Sequence, residues 1–91
     1  MSSLFPKWRG MPLIPSSAGM RELFEEGLDL LDVKRVLEEG VPSGARRKEG
    51  VFERVVQKGN RSVKVVVAES YNYSMKTRCW VVVHVKSVKW R

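Results

Sequence analysis

Two runs rich in β-branched residues, VFERVVQK and RSVKVVVAES, are separated only by Gly59-Asn60. A gap of two residues of this type joins strands as a tight antiparallel hairpin, because Gly and Asn tolerate the backbone angles that such a turn requires. Pairing outward from Lys58 opposite Arg61 puts Phe52, Arg54, Val56 and Lys58 on one face with Arg61, Val63, Val65 and Val67. Val51, Glu53, Val55 and Gln57 then share the other face with Ser62, Lys64, Val66 and Ala68. The first set is bulkier and is predicted to meet the core, with Arg54 as its polar exception. A polar loop, YNYSMKTR, precedes a third strand, CWVVVHVKSVKW. Simple alternation along it sends Val81, Val83 and Val85 inward and Trp80, Val82, His84 and Lys86 outward. The open face is therefore expected to hold Glu53, Gln57, Lys64, Trp80, His84 and Lys86.

Before Val51 the apolar period is helical. Ser16 or Ser17 can cap a helix running to about Glu26, with Met20, Leu23 and Phe24 as its apolar stripe and Gly27 past its end. Asp29 can cap a second helix, with Asp32 three residues on; Leu30, Val33, Val36 and Leu37 form its stripe and Gly40 ends it. Residues 1–16 contain Pro6, Pro12 and Pro15, which restrict φ and remove donors, so this segment reads as an extended arm. Its Leu4, Phe5, Trp8, Met11, Leu13 and Ile14 are too apolar for a solvated tail, so it should lie along the domain or a second copy. The expected organisation is an arm, 1–16, and a single α+β domain, 17–91. Two short N-terminal helices would pack on one face of a three- to four-stranded antiparallel sheet.

Charge divides the chain unevenly. Twelve of the seventeen Lys and Arg residues follow Ala45, beside three of the ten acids. A cationic sheet half concentrates polyanions, which makes RNA the first partner to expect. At 91 residues the core is small, and homodimerisation is a natural way to extend it. The lone Cys79, inside an apolar run, reads as a buried thiol in a reducing cytoplasm. There is no apolar run long enough to span a membrane, and the early prolines interrupt any secretory signal. Neither a metal-ligand spacing nor a glycine-rich phosphate loop is present, so no metal or small-molecule cofactor is expected.

His84 is the only histidine and the natural proton-transfer group. Glu53 on its face offers a second acid or base, and Lys64 and Lys86 offer charge to a phosphate; together they suit metal-independent RNA cleavage at the 2′-hydroxyl. The Arg46-Arg47-Lys48 loop suits a backbone phosphate, with Arg78 extending the positive surface. Tyr71, Tyr73 and Trp80 are candidates for stacking on unpaired bases. The competing reading is a non-catalytic, homodimeric interaction module whose charge aids solubility. Neither helix is basic enough for a DNA groove reader: the second sets Lys34 and Arg35 against Asp32, Glu38 and Glu39.

The stretch LFEEGLDLLDVKRVLEEG, followed by a turn, a hairpin and a valine-rich strand, resembles a family of short uncharacterised prokaryotic domains. Its members carry a His-Ala pair and an Arg, then Glu-Arg-Gly-Ile, then an Asp-Val opening a second helix that ends in Gly. Glu25-Glu26-Gly27-Leu28, Asp32-Val33 and Gly40 match the later elements, over roughly residues 18–86. The positions of the family's His and Arg hold Ala18 and Glu22. That family is similar in layout to toxin ribonucleases of the RelE and colicin type, which again implies RNA as partner.

Overall fold

The hairpin that Gly59-Asn60 dictates is the middle of a larger sheet. The computed structural model describes residues 5–42 and 49–89, apart from the side chains of Lys58 and Lys89. Its elements run β1 (Lys7–Trp8), β2 (Met11–Pro15), α1 (Ser17–Glu26), α2 (Leu30–Glu39), β3 (Val51–Lys58), β4 (Arg61–Asn72) and β5 (Thr77–Lys89). The β3–β4 register starts from Lys58 opposite Arg61, and Gly59 takes a φ of 57° in the turn. Ser16 caps α1 by accepting from the Gly19 N–H, and Gly27 closes that helix in the left-handed region. Asp29 and Asp32 form a reciprocal capping box at the start of α2.

The α+β class holds, but the sheet is not the three- to four-stranded antiparallel one expected. It has five strands in the order β1-β2-β5-β4-β3, and β2 lies parallel to β5, with Leu13 opposite Trp80 and Pro15 opposite Val82. The proline-rich N-terminal segment thus contributes two strands. Its apolar residues win this place because Trp8 and Leu13 are buried there, Leu13 completely.

The sheet curls until its first and last strands meet. Trp8 of β1 contacts Phe52 of β3 edge-on at 5.8 Å between ring centroids, and Trp80 touches both rings at 5.0 and 5.3 Å. Arg54 lies over the Trp8 and Phe52 rings, so its inward position is satisfied by cation–π contact. Val33, Val36 and Leu37 of α2 join Val65, Val67, Val82 and Val85 in the same core.

Two sequence expectations fail here. In α1 only Leu23 and Gly19 are buried, while Met20 and Phe24 of the expected stripe are exposed. On β5 an irregularity between Val66 and Val67 pairs Val66 with His84 but Val67 with Val82. The extra residue, Val83, reverses the alternation, so Trp80 and Val82 face the core on one side of it and Val85 on the other. Trp80 therefore leaves the open face; it is buried and its indole N–H donates to the Trp8 carbonyl at 2.9 Å.

α1 crosses β5 at very close range. A Cβ built on Gly19 would sit 2.1 Å from the Val82 carbonyl oxygen, and that oxygen is backbone. Gly19→Ala should therefore destabilise the fold by about 1–3 kcal/mol, the usual cost of overpacking, measured as a lower urea midpoint with unchanged m-value.

Candidate nucleic-acid interface

Strand alternation places Glu53, Val66 and His84 in one row across β3, β4 and β5, and Val55, Lys64 and Lys86 in the next, on the sheet face opposite the one that packs against α2. Lys64 and Lys86 are direct cross-strand partners. Like charges placed opposite each other oppose pairing, so this juxtaposition has an electrostatic cost that the surroundings must offset. Two carboxylates do so from beneath. Glu53 lies 3.9 Å from Lys64 and its side chain is 3% exposed; Glu22 lies 3.1 Å from Lys86 and its side chain is 15% exposed. The lysine side chains are 43% and 60% exposed. The lysines are the more exposed members of these pairs, and the four formal charges balance.

Glu22 reaches this place because α1 takes over the β5 edge where β2 ends. Beyond Pro15 opposite Val82, the Ser16 N–H and hydroxyl both donate to the Val82 carbonyl, each at 3.0 Å. One turn into α1 the Glu22 carboxylate accepts the Val85 N–H at 3.0 Å, a backbone group at the sheet edge. The same oxygen lies 3.4 Å from His84 Nδ1. The Val85 N–H lowers the pKa of Glu22 most strongly, with Lys86 and His84 adding to it and partial burial opposing. The His84 side chain is 60% exposed, and Nδ1 is the ring nitrogen that lies beside Glu22.

Glu53, Lys64, His84 and Lys86 thus share one face, as expected, but Glu53 is buried under Lys64 rather than open, and the carboxylate beside His84 is Glu22. Nothing local in the sequence marks Glu22, whose partners are more than sixty residues away. Of the remaining candidates, Tyr71, Tyr73, Arg78 and Trp80 are not part of this cluster. Tyr71 and Tyr73 are exposed and stack edge-on at 4.9 Å, and Tyr71 pairs across the strands with Arg78. This is seven residues along β4 from Lys64, roughly 23 Å at strand rise. By alternation from Trp80 it lies on the opposite face. Arg78 is ion-paired with Glu69. Arg46, Arg47 and Lys48 lie outside the described residues.

Cys79 is buried, and burial pushes its thiol pKa up, away from nucleophilic use. Among the described residues no group of three or more His, Cys, Asp or Glu side chains gathers to hold a metal ion, and no helix is long and apolar enough to cross a membrane. Comparison with protein-family models, with curated proteins and with solved structures returned no match.

Because the Glu22 pKa is depressed on folding, its contribution is fully present above its ordinary value of 4.5 and is lost as pH falls through the lower folded-state value. Acid titration of stability should therefore be shallower in Glu22→Gln than in the parent chain below that pH. Glu22→Ala, which removes the acceptor of the Val85 N–H, should cost about 1–3 kcal/mol at neutral pH in chemical denaturation.

Proposed function

We propose that this chain is a cytoplasmic RNA-binding protein that takes a strand's phosphates on the outer face of its sheet, at Lys64 and Lys86, and acts on the neighbouring 2′-hydroxyl with His84. The single observation behind this reading is the pair of directly opposed, outward-facing lysines, with shielded carboxylates below them. Each ammonium is paired with a carboxylate, Lys64 with Glu53 of β3 and Lys86 with Glu22 of α1, and a phosphate on this face gains charge-assisted contacts to both lysines. The chain's net charge of +7 supplies the longer-range attraction. The buried free thiol of Cys79 suits a reducing compartment.

His84 adds the chemistry. Glu22 orients its ring through Nδ1, leaving Nε2 to take the 2′-hydroxyl proton. The 2′-oxygen then bonds to phosphorus, the bond from phosphorus to the 5′-oxygen breaks, and that oxygen leaves with a proton from water. The products are a 2′,3′-cyclic phosphate and a free 5′-hydroxyl. Lys64 and Lys86 stabilise the charge that gathers on the phosphoryl oxygens. A 2′-hydroxyl distinguishes RNA from DNA for this step.

Binding to unstructured single-stranded RNA, followed by fluorescence anisotropy across a salt series, tests the first half. Lys64→Ala/Lys86→Ala should weaken binding and flatten the slope of log K against log salt by roughly 1.4, about 0.7 for each lost phosphate contact; an unchanged slope would exclude these lysines as the contacts. For the second half, His84→Ala should retain binding and thermal stability while cleavage falls by about 10²–10⁴. Equal cleavage by the variant would remove His84 from the reaction.

A further inference from the structure

We propose that the groove between the two helices and the N-terminal segment docks a basic amphipathic helix from another protein. The groove encloses about 420 Å³ and is lined by Met20 and Phe24 of α1, Leu30 and Leu31 of α2, and Pro6 and Pro15. Three of these side chains are large, apolar and open to solvent: Met20 is 56%, Leu31 62% and Phe24 87% exposed. Single exposed apolar residues are ordinary, but several lining one concavity mark a surface shaped for contact. Met20 and Phe24 stand at i and i+4 on α1, so they form one stripe that the chain's own core leaves uncovered. The groove lies on the helical side, away from Lys64, His84 and Lys86, and is independent of the proposed RNA site.

Charge selects the occupant. Residues 17–40 contain seven acids against three bases, and six of those acids remain once Glu22, turned to the β5 edge, is set aside, although the whole chain is strongly basic. Asp29 forms part of the groove wall, and Glu25, beside Phe24, is exposed. A ligand that fills an apolar groove inside an acidic layer needs apolar anchors at i, i+3, i+4 and i+7 flanked by Lys or Arg, which describes a basic amphipathic helix. A second copy joined by a two-fold axis would set this acidic layer against itself. The copy's own basic residues are carried mostly by the strands, so using them would require a head-to-tail contact instead of a two-fold one.

The test uses two synthetic fluorescein-labelled helices with the same leucine anchors, one flanked by lysines and one by glutamates. By anisotropy the lysine-flanked peptide should bind at least about tenfold more tightly, with affinity falling as salt rises. Phe24→Asp should abolish that binding without lowering the melting temperature, because the ring is not part of the core. Lys64→Ala/Lys86→Ala should bind the peptide as the parent does, which separates this site from the RNA surface. Equal affinity for both peptides, no binding of either, or binding that survives Phe24→Asp would overturn the proposal. Sedimentation showing a dimer that Phe24→Asp dissolves would assign the groove to a second copy instead.

Discussion

The edge of β5 between Val82 and Val85 is where the layers of this protein are joined. β2 pairs with β5 only as far as Val82, and from there an open strand edge would leave backbone groups without partners. α1 closes it: Ser16 donates twice to the Val82 carbonyl, Gly19 lets the helix approach that carbonyl closely, and Glu22 accepts the Val85 N–H. The same three contacts set the position of α1 and bring a second acid, besides Glu53, to the surface that carries Lys64, His84 and Lys86. Structure and candidate chemistry therefore share one carboxylate, and a change at Glu22 acts on both.

The extra residue at Val83 has a similar double effect. It lets β5 contribute Trp80 and Val82 to the core at one end and Val85 at the other, while His84 and Lys86 turn outward. Without it, strict alternation would bury Lys86 or expose Trp80. The curl of the sheet depends on Trp80 facing inward, because that ring bridges Trp8 and Phe52 at the two ends of the strand order. An irregularity that would weaken a flat sheet here sorts the apolar side chains from the charged ones.

The molecule has two chemically different sides. The helical side is acidic and carries an apolar groove; the outer sheet face carries paired lysines and the histidine. This separation keeps the acids of α1 and α2 from neutralising the lysines, with Glu22 as the exception that reaches across.

Features governed by neighbours in the chain were legible from the residues alone. The Gly59-Asn60 hairpin with Lys58 opposite Arg61, the Asp29–Asp32 capping box, and the Ser16 and Gly27 helix ends each depend on a few consecutive residues, and the physics that selects them is local. The grouping of Lys64, His84 and Lys86 on one face followed from the same alternation. Only the tertiary structure decided the parallel pairing of β2 with β5, the exposure of Phe24, the inward turn of Trp80 and the approach of Glu22 to His84. Each of these depends on contacts between distant segments, and periodicity carries no record of which distant edge an apolar arm will fill or where a strand will gain a residue to suit its neighbours.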